Sequence, residues 1–369
     1  MNRLQRLSSE FGQSPWLDNL RRSYLTDGGL DEFVRRGVRG LTSNPTIFQK
    51  AIQGSVEYDE QFYDLIGRGV EVEEAYWSLV LHDIVGALDV FRPLYETSSG
   101  TDGFVSVEVD PLLAHDALGT LEAGRGLVSR IDRPNVMIKI PATTEGLVAI
   151  RRMTAEGHCV NVTLIFSLER YDEVITAYIE GLEQLASDPT ADLARVASVA
   201  SFFISRVDSE VDARLASLSN PKAADLRGKA AIAQAQLAYD LFISRFSGER
   251  WSALQACGAK VQRPLWASTS TKNPDYPDTL YVDRLIGPDT VNTLPDTTLE
   301  AFDNHGSPSR TIDVDLEAAR RVWAGLRECG IDMSEVASKL ESEGIASFQA
   351  SFTDLLDALR IKAESSGTK

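Results

Sequence analysis

Eight short segments that read as buried strands recur along the chain, and almost every one is followed by a stretch with helical spacing. This alternation constrains the fold more than any other feature, because strands joined by helices run parallel and are covered on both faces. The runs lie at about 14–19, 38–41, 103–109, 136–140, 159–166, 196–204, 264–268 and 290–293. Helical patterns fill 29–36, closed by Gly37, then 46–52, 57–67 and 71–97. Asp110-Pro111 starts another helix, with proline in its first turn, and Ser167 caps the helix after the fifth run. Long helical stretches at 207–218 and 223–246 are parted by Asn220-Pro221, and two more at 315–329 and 333–363 finish the chain. Residues 1–10 read as a leader helix, and Glu364 to Lys369 as a disordered tail.

Eight buried strands alternating with helices predict an α/β protein, a (β/α)8 TIM barrel with additional helices. A Rossmann-like open sheet is the competing fold. Against it, no Gly-x-Gly-x-x-Gly follows an expected strand, and no Gly-x-x-x-x-Gly-Lys-Ser/Thr occurs. No internal repeat or linker divides the 369 residues. They are expected to form a single domain, 1–369, with the leader helix and the carboxyl-terminal helices packing on the barrel.

The fourth run, Val136-Met137-Ile138-Lys139-Ile140-Pro141, places a lysine inside an otherwise apolar strand. Thr143 or Thr144 then caps a helix whose Leu147, Ile150 and Met153 recur near helical spacing. Lys139 therefore sits near the carboxyl end of a buried strand. Burial disfavours an ammonium and favours the free amine, a nucleophile toward carbonyls. The competing reading is a lysine whose stem packs while its head reaches water.

In a barrel of this kind the chemistry gathers where the strands end. The polar residues there are Asp18, Thr42 with Asn44, Ser106 with Glu108, Lys139, Asn161 with Thr163, Ser201 with Arg206, and Ser268. An amine with two carboxylates suits Schiff-base chemistry: the amine attacks a ketone, one carboxyl moves protons as water is lost, and another deprotonates a hydroxyl so that a carbon–carbon bond breaks. Capping or solvated roles compete for each carboxylate, least for Glu108, which lies between Val107 and Val109.

Composition excludes other classes. The formal charge of −17 argues against nucleic-acid or anionic-membrane partners, which need basic patches. No apolar run approaches the roughly 18 residues of a membrane helix, and the amino terminus lacks a signal-peptide core. Cys159, Cys257 and Cys329 form neither a metal pattern nor a disulfide framework. The four histidines, His82, His115, His158 and His305, are scattered singly. A cytoplasmic protein with no metal and no cofactor is expected.

Five segments carry a resemblance. They are Ser14-Pro15-Trp16-Leu17-Asp18-Asn19, Gly40-Leu41-Thr42-Ser43-Asn44-Pro45-Thr46-Ile47-Phe48, Ser106-Val107-Glu108-Val109-Asp110-Pro111, Met137-Ile138-Lys139-Ile140-Pro141-Ala142-Thr143 and Asn161-Val162-Thr163-Leu164-Ile165-Phe166-Ser167. In this order they resemble transaldolase, of the longer bacterial type within the class I aldolase superfamily. The resemblance implies transfer of a dihydroxyacetone unit from sedoheptulose 7-phosphate to glyceraldehyde 3-phosphate, giving erythrose 4-phosphate and fructose 6-phosphate, in the non-oxidative pentose phosphate pathway. It implies that Lys139 forms the imine, and that Glu108, through a water and with Thr163, serves its dehydration. Asp18 would take the proton from the C4 hydroxyl. Asn44 and Asn161 would hold the substrate, supported by Thr42, Ser106 and Ser201, with Phe203 lining the pocket and Arg206 on the phosphate. Shorter relatives place a second phosphate-binding arginine after the seventh strand. Here Ala267-Ser268-Thr269-Ser270-Thr271-Lys272 stands there, which makes Lys272, with Ser268, its expected replacement.

Two other functions compete. A fructose 6-phosphate aldolase-like enzyme would release free dihydroxyacetone, and a non-catalytic barrel would only bind sugar phosphates. The resemblance implies a tyrosine in place of Glu108 in that aldolase group, so Glu108 favours the transferase, while the presence of Lys139, Glu108 and Asp18 together argues against the non-catalytic barrel. The partners expected are small sugar phosphates, and both a monomer and a homodimer remain open.

Overall fold

The computed structural model describes residues 1–366. Strand β1 (Gln13–Leu17) lies between β2 (Gly40–Thr42) and β8 (Thr290–Leu294), so the sheet closes on itself. Between them follow β3 (Phe104–Glu108), β4 (Val136–Pro141), β5 (Val160–Ile165), β6 (Ser198–Phe203) and β7 (Gln262–Ala267), all parallel and in chain order. This is the expected (β/α)8 barrel. Every strand residue is buried, which is why runs such as Val136–Pro141 and Val160–Ile165 read as largely apolar.

Sharp helix starts keep the strand ends in place. Asn44 is extended, as its following proline demands, and its Oδ1 accepts the Ile47 N–H at 2.9 Å to open helix Pro45–Gln53. Thr143 caps Thr144–Ala155 through the Gly146 N–H at 2.9 Å, and Ser167 caps Leu168–Leu185 through the Arg170 N–H at 3.0 Å.

The barrel interior is filled from below. Asp102 accepts from Ser14 at 2.6 Å and pairs with Arg39 at 2.5 Å and Arg263 at 3.2 Å, a polar plug under the sheet. Above it Trp16 fills the space opposite Gly40, where a Cβ would stand 2.5 Å from the indole ring. The leader helix Arg3–Phe11 closes this lower end, held by Arg3 donating to the carbonyls of Asp303 and Gly306, each at 2.9 Å. Helix Met333–Ser366 crosses the opposite end and presents Val336, Leu340, Ile345, Phe348, Phe352, Leu355 and Leu359 as a buried stripe.

Local details differ from the sequence reading. Asp110-Pro111 opens only a 3-10 turn, Pro111–Leu113, because the Asp110 carboxylate accepts the Leu112 N–H at 2.8 Å; the helix Ala117–Ile131 starts instead at Asp116. The stretch at 223–246 breaks into Pro221–Leu226 and Ala230–Arg245, since Gly228 takes a left-handed φ of +68°. Helices Gly248–Ala256, Leu280–Arg284 and Asp296–His305 add to the expected set. The last helix, which Lys362 ties to Asp59 by an ion pair, runs to Ser366 where a disordered tail was expected from Glu364; the rest of that tail lies outside the described residues. Among the described residues no helix is long and apolar enough to cross a membrane.

Candidate active site

Register brings three expected residues side by side: Glu108 is opposite Lys139, and Lys139 is opposite Asn161. Lys139 Nζ stands 3.0 Å from Glu108 Oε2 and donates to the Ser43 carbonyl at 3.1 Å. The two side chains are 5% and 4% exposed. The close contact is not aligned as a hydrogen bond, which leaves Glu108 Oε2 without one. Burial pushes the Glu108 carboxyl above the usual carboxylate range, with Lys139 opposing the shift and Asp18 adding to it. The lysine is thus not a surface group whose head reaches bulk water.

Above the pair opens a cleft of about 390 Å³. Asp18, at the end of β1, lines it; burial raises its carboxyl too, against the pull of Lys139, Lys272 and Arg206. Thr42 and Thr163 also line the cleft, and each keeps a buried hydroxyl without a partner. Unsatisfied buried hydroxyls facing a cleft are where ligand or water polar groups belong. Thr163 owes its position to an irregularity in β5: the register against β6 shifts between Val162 and Ile165, and Leu164 adopts φ +59°. Asn44 spends its Oδ1 on the helix cap and retains its amide NH2 for a ligand.

Beneath the cleft, Asn161 donates to Ser106 Oγ at 2.9 Å and accepts from Ser201 Oγ at 2.7 Å, a buried chain across β3, β5 and β6. Ser201 and Phe203 reach the cleft, whereas Ser106 and Asn161 are fully covered.

One wall is cationic. Arg206 lies over the Phe203 ring at 5.3 Å, and Lys272 donates to Ser270 Oγ at 2.8 Å. Burial lowers both groups from their ordinary values; Glu343 and Asp18 oppose this at Arg206, while Arg206 adds to it at Lys272. The loop after β7 is stitched to the helix bearing Arg206: Ser205 N–H donates to the Ser268 carbonyl at 3.0 Å, and the two hydroxyls meet at 2.9 Å. All thirteen expected residues therefore meet in or directly under one site.

Lys50, Thr46, Ser347 and Phe348 also line the cleft and were missed. Thr46 and Lys50 follow Asn44 one helical turn apart, a spacing that could have shown them facing the mouth. Ser347 and Phe348 had no such signal, since nothing local tells a distant helix to cross the barrel. Among the described residues no group of three or more His, Cys, Asp or Glu is placed to hold a metal ion.

Comparison with known proteins bears on the family of the chain. The sequence model of the Transaldolase/Fructose-6-phosphate aldolase family matches residues 15–359. A transaldolase of Parafrankia sp. (strain EAN1pec) is 54% identical over 95% of this chain and 96% of its own length. One from Frankia alni is 50% identical over 100% and 99%. One from Thermobifida fusca is 51% identical over 96% of each chain. The chain belongs to the transaldolase/fructose-6-phosphate aldolase family.

Proposed function

We propose that this protein is a transaldolase, moving a dihydroxyacetone unit from sedoheptulose 7-phosphate to glyceraldehyde 3-phosphate through a Schiff base on Lys139. The observation that carries the reading is the buried Lys139–Glu108 pair at 3.0 Å, with Asp18 in the same cleft. The Lys139 amine adds to the donor ketone. Glu108, inclined by burial to hold a proton, delivers it through a water held with Thr163 so that hydroxide leaves as water and the iminium forms. Asp18 takes the proton of the C4 hydroxyl, the C3–C4 bond breaks, and its electrons pass into an enamine while the aldose departs. The enamine carbon then attacks the acceptor aldehyde, and Asp18 returns its proton to the new hydroxyl.

Asn44 holds the hydroxyls of the bound unit, with Thr42 and Ser201 beside it, while Asn161, expected to hold substrate directly, is covered beneath the cleft and with Ser106 braces Ser201 from below. Arg206 and Lys272, beside Ser268, face the phosphate, the guanidinium supplying the bidentate grip and the ammonium a point charge. Packing of the leader helix and the last helix on the two barrel ends supports a single domain. Substrates whose charge confines them to one compartment support a cytoplasmic location, and monomer and homodimer are both compatible with the cleft.

The test is borohydride reduction in the presence of fructose 6-phosphate, then peptide mass spectrometry. A dihydroxyacetone-derived adduct on Lys139 is expected, and erythrose 4-phosphate should then yield sedoheptulose 7-phosphate. An active preparation without an adduct would refute the Schiff base.

A further inference from the structure

The iminium of a transaldolase has two fates, and the structure suggests what chooses between them. Its enamine form can attack an aldehyde. Alternatively, water adds to the iminium carbon, the resulting carbinolamine breaks its C–N bond with the nitrogen taking up a proton, and free dihydroxyacetone leaves with the amine restored. Which fate prevails depends on water reaching the atoms attached to Lys139 Nζ.

Besides Glu108, an aromatic ring lies near the Lys139 amine. The Phe348 centroid is 5.6 Å from Nζ, and Phe348 is itself only 4% exposed while lining the cleft. It belongs to helix Met333–Ser366, which is fixed on both sides of it. Gly344, one turn earlier, permits close approach: a Cβ there would stand 2.9 Å from Leu164 Cδ2 and 3.5 Å from Arg206 Nη1. Gln349 Nε2 donates to the Pro111 carbonyl at 3.2 Å, and Ser351 meets Thr46 hydroxyl to hydroxyl at 2.7 Å. The ring is therefore held over the amine and offers no polar atom to position a water.

We propose that Phe348 determines transfer over release, its ring excluding hydrolytic water from the iminium on Lys139 and favouring the cation through its π face. This rests on the Schiff-base reading above. The residue acts on the outcome of the reaction and not on bond making itself.

The experiment uses the full chain carrying Phe348→Ala or, with less disturbance to packing, Phe348→Leu. Each is supplied with fructose 6-phosphate and limiting erythrose 4-phosphate, and free dihydroxyacetone is measured against sedoheptulose 7-phosphate. Because a ratio is read, a partly unfolded preparation does not distort it. The release-to-transfer ratio should rise, by about tenfold in Phe348→Ala if water gains free access. A rise in either variant supports the proposal, and an unchanged or lower ratio in both overturns it. Borohydride trapping of the same preparations separates the two readings: no adduct on wild-type Lys139 sinks the Schiff base, whereas adducts with an unchanged ratio sink only the role of Phe348.

Discussion

The Lys139 amine and the Glu108 carboxylate stand 3.0 Å apart, both almost cut off from solvent, without an aligned hydrogen bond between them. Neighbouring strands in fixed register impose this proximity. A buried pair of this kind is poor value as a structural brace, since desolvation cancels much of the attraction. Lys139→Met should therefore keep the fold, because Glu108 can take up a proton once its partner is gone, while turnover disappears. Circular dichroism and a coupled assay check the two halves; normal turnover in the folded variant removes Lys139 from the mechanism.

Glu108 and Asp18 should fail at different steps. Glu108→Gln slows imine formation, and Asp18→Asn leaves the imine but stalls carbon–carbon cleavage, each by about a hundred- to ten-thousandfold. Borohydride trapping distinguishes them by mass. The Asp18→Asn enzyme should carry the intact donor sugar on Lys139, whereas wild type carries the three-carbon fragment. The three-carbon fragment in both would take Asp18 out of the cleavage step.

The pH profile follows from the raised Asp18 carboxyl. Asp18 must be ionised to accept a proton, so activity falls as pH falls through its folded-state value, which lies above the usual carboxylate range. Lys272 is one of the charges that hold that value down. Lys272→Met should move the acid limb of kcat further toward neutrality, and a limb that stays put would show that Asp18 is not the group titrating.

Gly40→Ala tests the filling of the barrel. The added methyl would meet the Trp16 ring at 2.5 Å, between strands β1 and β2 that pair one residue on, at Leu17 and Leu41. Overpacking of this sort costs about 3 kcal/mol. The urea midpoint should drop, with Trp16 fluorescence shifting before the transition.

Asp208 gives a stability prediction away from the chemistry. Its carboxyl is pushed up to about 6 by burial, although it accepts from the Ala231 N–H at 2.8 Å and the Tyr281 hydroxyl at 2.9 Å. Folding therefore favours the protonated form. That contribution is fully present below the ordinary aspartate value of 3.8 and is lost as pH rises through about 6. The stability of wild type relative to Asp208→Asn should thus fall across this window, by about 3 kcal/mol at most. A flat difference would mean that Asp208 titrates normally.

Much of this was legible beforehand, for a physical reason. Parallel strands are buried on both faces, so Val136–Pro141 and Val160–Ile165 stand out as apolar runs, and the capping residues Thr143 and Ser167 mark where these end. A lysine inside such a run has few places to go, and the barrel sends strand ends to one point. What escaped notice depended on contacts between distant parts of the chain. The turn at Asp110 arose from one side-chain hydrogen bond, the break at Gly228 from a backbone sign, and the place of Phe348 from a helix remote in sequence that buries its stripe against the barrel mouth.

That remoteness has a consequence for biosynthesis. All eight strands, and with them Lys139, are translated before Met333, where the covering helix begins. A growing chain can close its barrel and set out its amine while the segment that shelters it is still being made. Lys139 is made uncovered, and its cover is added only once the helix from Met333 has emerged. A protease that clipped the helix from Met333 would return the mature protein to that earlier, uncovered condition.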